Sequence, residues 1–235
     1  MPERDSLLRE ISQRFRRKEG FALATLNLNH VVQLRSSEAF RQACRAHDLT
    51  VADGNPVVWL SKMAGRPVSL VTGSDLLRPL LRLAAAEAAP VAFYGADLQT
   101  LRAAKTVLEQ EISGLDICWI GAPPMGFDPT SEAAKEDLAR MQASGAQLCI
   151  LALSAPRQEI FGAFGRAQTR GIGFCSLGAS LEFVIGKQTR APLWVRKLAL
   201  EWLWRAGSAP KRLGPRYAAC LATLPRLIQS SLQQR

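Results

Sequence analysis

Residues 147–177, QLCILALSAPRQEIFGAFGRAQTRGIGFCSL, decide the fold. The stretch opens on an unbroken apolar run, Leu148–Leu153, passes through Ser-Ala-Pro into a segment of helical spacing, and returns after Gly171 to a second short apolar run. A strand with one wet face alternates apolar and polar residues. A strand that is apolar throughout is buried on both faces, which is the signature of a parallel sheet covered by helices. The same unit recurs outward in both directions. The spacing predicts strands over Phe21–Leu26, Leu49–Ala52, Val91–Tyr94, Asp116–Ile120, Gln147–Leu153 and Gly173–Leu177. Helices are predicted over 4–18, 36–47, 55–64, 74–88, 98–111, 131–144 and 157–169, the first carrying Leu7, Leu8, Ile11 and Phe15 at helical spacing. Strand and helix alternate with no internal repeat, so the expected fold is α/β: a Rossmann-like, mostly parallel sheet with helices on both faces.

Such sheets bind ligands beyond the carboxyl ends of their strands. The loops expected there read TLNLNH, ADGNP, YGAD, GAPPMGF, LSAPRQE and LGASLEF, and they hold Asp53, Asp97, Gln158 and Glu159.

The chain has 235 residues, 48% hydrophobic and 21% charged, enough for one sizeable core and too apolar for disorder. No apolar run approaches the roughly 20 residues of a spanning helix, and the first ten residues, MPERDSLLRE, are charged where a secretory signal would be apolar, so a cytoplasmic location is expected. Five cysteines, Cys44, Cys118, Cys149, Cys175 and Cys220, form no C-x-x-C pair and are read as small buried hydrophobes rather than disulfides or zinc ligands.

The net charge of +10 is unevenly distributed. Residues 187–235 carry ten Lys or Arg against the single acid Glu201, so nine of the ten net charges lie in the last fifth of the chain. Three of the five tryptophans, Trp194, Trp202 and Trp204, lie there too. The division expected is a catalytic core over 1–190 and a basic, helical C-terminal appendage over 191–235. In the appendage, Trp194, Val195, Leu198, Ala199, Trp202 and Leu203 fall on one side of a helix. A second helix, separated at Gly207 and Pro210, sets Leu213, Tyr217, Leu221, Leu224 and Ile228 against Lys211, Arg212 and Arg216, with Pro215 and Pro225 expected to break or kink it. Cationic charge beside tryptophan suits an anionic surface: a phosphate-bearing substrate, lipid headgroups or nucleic acid.

Several loop residues admit both a chemical and a plain reading. Asp53, between a strand and a helix, could take a proton in the crevice or cap the helix. Thr25 and Asn27, two apart in an extended segment, could hold a sugar hydroxyl or close a strand end. Gln158 could read an amide-bearing base edge, while Glu159 could simply favour the helix N-terminus. His30 and His47 lack metal-ligand partners and are read as packing residues. Thr72-Gly73-Ser74-Asp75 could bind phosphate at a helix start or merely cap it. Gly95 resembles a nucleotide-binding turn, but neither it nor Gly171-Ile172-Gly173 completes G-x-G-x-x-G, which disfavours a dinucleotide. No Asp-x-Asp exists for a magnesium-held diphosphate. The nearest acids, Glu109 and Glu111, sit on a helix read as exposed.

Taken in order, TLNLNHVV, VADGNPVVWLSKMAGRP, VTGSDLL, SAPRQEIF, LGASLEFVIGKQTRAP and LALEWLWR resemble the WecG/TagA/CpsF glycosyltransferases, family twenty-six, from about Thr25 to Tyr217. The resemblance implies a fold of the GT-E type with a C-terminal appendage. It also implies an inverting, metal-independent transfer of a hexose or N-acetylhexosamine from a UDP-sugar to a polyprenyl-diphosphate-linked acceptor at the cytoplasmic membrane face. Matched motif by motif, Asp53 is implied as general base, Thr25 and Asn27 as active-site residues, Gln158 and Gly95 as substrate-binding residues, and Arg205, Arg212 and Arg216 as the cations that close over the diphosphate. The chain departs from the family pattern at Leu70, where a basic residue is common, at Ser154, where Gly is usual, and after Tyr94, where a second Gly is missing. These departures bear on donor-sugar contacts rather than on fold.

The readings from other classes are a nucleic-acid-binding module and a non-catalytic nucleotide-sugar sensor. The first is disfavoured, since the tail tryptophans fall on or next to its apolar side, suited to lipid or to a second copy of the chain rather than to base stacking.

Overall fold

The computed structural model describes residues 3–189, then Ala191, Pro192, Trp194, Val195, Glu201, Trp204, Gly207 and 210–233. Six strands form one all-parallel sheet: β1 (Phe21–Leu26), β2 (Leu49–Ala52), β3 (Val91–Tyr94), β4 (Ile117–Gly121), β5 (Leu148–Leu151) and β6 (Gly173–Ser176). Their order across the sheet is β2-β1-β6-β5-β3-β4. The helices among the described residues are α1 (Arg4–Arg17), α2 (Leu28–Ser36), α3 (Glu38–Arg45), α4 (Asn55–Met63), α5 (Gly73–Ala86), α6 (Leu98–Glu111), α7 (Glu132–Ala143), α8 (Arg157–Gln168), α9 (Ser180–Val184) and α10 (Pro210–Gln233).

Two cores result from the two-residue period of the strands. Val91, Phe93, Leu148, Ile150 and Cys175 join Leu7, Ile11, Leu76, Leu80 and Leu101 from α1, α5 and α6. Their sequence neighbours Ala92, Tyr94, Cys149, Leu151 and Phe174 join Leu138, Met141 and Phe161 from α7 and α8. In the second core Tyr94 stacks on Phe161 at 4.5 Å between centroids, and its hydroxyl donates to Asp137 at 2.8 Å. Every side chain of β3, β5 and β6 is buried, as their continuous apolar sequences require.

The predicted strands stand, with β5 shorter than Gln147–Leu153 because the chain turns away at Ala152. Four helical expectations change. The expected LGASLEF loop contains the short helix α9. Residues 28–36, whose first three lie in the expected TLNLNH loop, form α2, which starts immediately after β1 on the cap of Asn27. The helix expected over 36–47 begins later, because Ser37 ends α2 and caps α3, its hydroxyl accepting from the Phe40 amide at 3.2 Å. Finally, α10 runs through Pro215 and Pro225 without a break. Each proline removes one donor from a 24-residue helix whose flanking turns supply the rest.

The inward side of α10 also differs from expectation. Cys220 is buried and Leu224 and Ile228 are half-buried, whereas Leu221, assigned to the apolar face, is 53% exposed. Val195 is buried and Trp194 is 63% exposed; Leu198, Ala199, Trp202 and Leu203 lie outside the described residues. All five cysteines are free, with Cys44 and Cys118 half-buried. Among the described residues no helix is long and apolar enough to cross a membrane.

The amino-terminal helix is pinned at its end. Arg16 donates from Nε and Nη2 to the two oxygens of Glu87 at 2.9 and 2.7 Å, and Ser12 adds a hydroxyl at 2.5 Å. These donors, Arg16 first, hold the Glu87 carboxyl at about 2 against an ordinary 4.5. A lowered carboxylate pKa stabilises the fold above the unfolded value, and that stabilisation is lost as pH falls through the folded value. Glu87→Gln is therefore expected to lower Tm at neutral pH, with the gap to wild type closing between pH 4.5 and 2. Calorimetry across that range checks it.

Candidate active site

The chain leaves neighbouring strand ends toward opposite faces of the sheet. After β1 it enters α2, which packs with α3, itself packed on α8; after β6 it enters α9, which packs on α5 and α6. A crevice opens between such diverging connections. It lies at the carboxyl ends of β2, β1, β6 and β5, where four of the sequence motifs meet.

The β1 end is shaped by a capping box. The Asn27 side-chain oxygen accepts from the amides of Asn29 and His30 at 3.1 and 3.4 Å, and the Asn27 amide donates to His30 Nδ1 at 3.0 Å. Beside it, the Asp53 amide donates to the Leu26 carbonyl at 2.8 Å, which places Asp53 directly past the end of β2. The cap position of α4 is Gly54 rather than Asp53, so the helix start carries no side-chain cap. Gly54 has φ +130°, a conformation that L side chains rarely adopt, and a Cβ there would lie 3.9 Å from that of Asn27. The two loops therefore abut.

The VTGSD segment closes the side of the crevice. The Val71 amide donates to Ala52 at 2.9 Å, setting Leu70, 43% exposed, in register beside β2. The family departure at Leu70 thus lies next to the Asp53 loop. Thr72 caps α5, accepting from the Asp75 amide at 3.2 Å and donating to its carboxylate at 2.7 Å, so capping accounts for both residues.

Thr25 and Gln158 face inward. Thr25 is 3% exposed, and its hydroxyl donates to the Ser176 carbonyl at 2.8 Å, tying β1 to β6. Gln158, equally buried, accepts from the Gly178 amide at 3.1 Å and donates to Glu159 Oε1 at 2.7 Å. Its amide thus supports the crevice wall, where the sequence suggested a base-reading edge.

Two residues that the sequence offered only as a helix-start acid and a packing histidine meet beside these loops. Glu159 is completely buried, with His30 Nε2 3.4 Å from its Oε1. The signals were present: His30 stands three residues after an Asn N-cap, and Glu159 falls on the inward stripe of α8 with Phe161, Gly162 and Gly165. Burial, and secondarily the charge of Glu159, pushes the half-buried Cys44 thiol up to about 12, which leaves it unreactive. Burial pushes the His47 ring down; its Nδ1 donates to the Ala43 carbonyl at 2.7 Å.

The remaining candidates lie farther off. Gly95 is at the end of β3, three strand spacings, or about 14 Å, from β1. Its φ is +119°, and a Cβ would meet Leu153 and the Ala152 backbone at 2.6–2.9 Å, so close packing of two loops requires this glycine. Nearby, Lys187 of the GKQTRAP segment donates to Asp97 at 2.7 Å and Thr100 at 3.0 Å, securing the chain that follows α9 on the start of α6. Arg212 and Arg216 are carried in the first two turns of α10, and Arg205 lies outside the described residues. The α10 helix packs on α2 and α4, the two helices that begin at Asn27 and just after Asp53. Among the described residues no group of three or more His, Cys, Asp or Glu is placed to hold a metal ion. Glu109 and Glu111 are spent on Lys105 and on Arg78.

A family model described as glycosyl transferase WecG/TagA/CpsF matches residues 2–235.

The inward hydroxyl of Thr25 gives a direct test of the strand-end tie. Thr25→Val keeps the shape and removes the donor to Ser176, and is expected to cost about 1 kcal/mol in urea unfolding.

Proposed function

The chain belongs to the WecG/TagA/CpsF glycosyltransferase family, whose members act in cell-surface polysaccharide synthesis, and from that membership we propose the particular transfer it performs. The donor is a UDP-sugar carrying a hexose or N-acetylhexosamine: N-acetylmannosamine, its uronic acid, or glucose. The acceptor is a sugar on a polyprenyl diphosphate, and the anomeric centre inverts. The observation that carries this reading is the packing of α10 on α2 and α4. That packing puts α10, whose first turns carry Arg212 and Arg216, against the helices that follow Asn27 and Asp53.

In the step proposed, the acceptor hydroxyl oxygen attacks the anomeric carbon as the bond from that carbon to the UDP oxygen breaks. The electron pair of the broken bond leaves with the β-phosphate, and the hydroxyl proton passes to Asp53. Asn27 supports this arrangement, because its Oδ1 is spent on the cap while its Nδ2 has no partner among the described residues and can donate to a sugar oxygen. Thr25 and Gln158 act from behind, holding the strand ends. Gly95 lets the loops after β3 and β5 pack closely at the far end, where the donor would lie. Arg205, Arg212 and Arg216 neutralise the departing diphosphate through charge-assisted hydrogen bonds, so no metal is required. Closure of the appendage over the crevice excludes the water that would hydrolyse the donor.

The acceptor is lipid-linked, so the enzyme works at a bilayer surface. Trp59 on α4 and Trp194 at the start of the appendage, 50% and 63% exposed, favour the headgroup zone, and the positive end of the chain favours anionic lipid. Attachment is peripheral, on the cytoplasmic face.

Asp53→Asn is expected to lower turnover by about 10² or more while UDP still raises Tm. Near-normal turnover would remove the base assignment. Transfer is expected to survive EDTA, measured with a lipid-diphosphate acceptor and mass spectrometry; strict dependence on added magnesium would overturn the arginine account.

A further inference from the structure

Glu159 is the most deeply buried carboxylate beside the crevice, and it touches no surface. One of its oxygens is the centre of two chains of contacts. Toward β6, Oε1 accepts from Gln158 Nε2 at 2.7 Å, and Gln158 Oε1 accepts from the Gly178 amide at 3.1 Å. Toward β1, Oε1 lies 3.4 Å from His30 Nε2, an electrostatic approach rather than a hydrogen bond, since that nitrogen and Glu159 Oε2 have no hydrogen-bond partner among the described residues, and His30 Nδ1 accepts from the Asn27 main-chain amide at 3.0 Å. Because Nδ1 accepts, the neutral ring carries its proton on Nε2, the atom that faces Glu159. A single carboxylate on α8, after β5, thus registers the loops after β6 and β1.

The hydrophobic core does not need a charge there. The neighbouring inward residues of α8 are Phe161, Gly162 and Gly165, and two buried polar partners replaced together by apolar side chains of similar shape can leave stability nearly unchanged. We infer that Glu159, acting through His30 and Gln158, is a positioning residue for transfer: it fixes the orientation of Gln158 and of the Asn27 cap relative to Asp53. The inference rests on the reading of Asn27 and Asp53 as the residues that meet substrate.

The test uses the full chain with His30→Leu and Glu159→Met together, which removes both polar partners and leaves no orphaned charge. This variant is expected to melt cooperatively at or above the wild-type Tm while kcat falls about tenfold to a hundredfold, with little change in donor KM. Glu159→Gln keeps an oxygen where Oε1 stands and is expected to recover most of the turnover. A second readout needs no activity: the side-chain amide signal of Gln158 in a nitrogen-15 spectrum, assigned by its loss in Gln158→Leu. That signal is expected to be slowly exchanging in wild type and to move to the mobile-amide region in the double variant.

A folded double variant with full turnover, or one with an unchanged Gln158 signal, would overturn the proposal. So would loss of the cooperative melt, which would assign the pair to stability instead, and so would a Glu159→Gln variant as slow as the double. If wild type itself transfers no sugar, the transferase reading fails, and the Gln158 signal still decides whether Glu159 positions that amide.

Discussion

A parallel sheet covered on both faces leaves polar chemistry one principal place to emerge, the carboxyl ends of its strands. This constraint organises the molecule. The two cores take up the alternating side chains of β3, β5 and β6, so the inward residues near the strand ends either find partners or are left buried without them. Thr25, Gln158, Glu159 and His30 are among the polar residues that cross into that buried zone: Thr25 is tied to Ser176 and Gln158 to Gly178, while His30 Nε2 and Glu159 Oε2 have no hydrogen-bond partner among the described residues. Burial makes these contacts strong and also makes them demanding, since an unpaired polar group in such a place is costly.

The second organising feature is the placement of α10. The first 186 residues are nearly neutral and the end of the chain is strongly cationic, a division that makes sense if the cations serve something outside the main core. The contacts of α10 with α2 and α4 pack that end of the chain on the helices that follow Asn27 and Asp53. Upstream, Lys187 anchors on the cap of α6, and Glu182 accepts from the Gln188 side chain, so the chain leaves the core from a fixed point. The lysine of the Gly-Lys-x-x-Arg-Ala-Pro block makes that anchor.

Most of the architecture was legible because buried parallel strands write themselves as continuous apolar runs. Phe21–Leu26, Leu49–Ala52 and Val91–Tyr94 read true to the residue for this reason. The longer of the two missed helices, α2, has a polar start, Leu-Asn-His, and little amphipathic contrast; its signal lay in the Asn27 cap and the His30 that answers it. The prolines of α10 misled for the opposite reason. Local propensity marked breaks at Pro215 and Pro225, while packing on α2 and α4 carries the helix through. Leu221 faces solvent because the contact stripe runs through Cys220, Leu224 and Ile228.

By itself the sequence determined the fold class, the family, the loops in which the site must lie and the division of charge, since each is a property of periodicity, motif order or composition along one chain. Only the tertiary structure decided which polar residues of those loops turn inward. Thr25 ties to Ser176, Gln158 to Gly178, and His30 meets Glu159 because strand order sets the ends of β1, β6 and β5 side by side. Periodicity records how deeply one residue is buried. It does not record which distant residue is buried against it, because that depends on the register of strands whose pairing lies far apart in the chain.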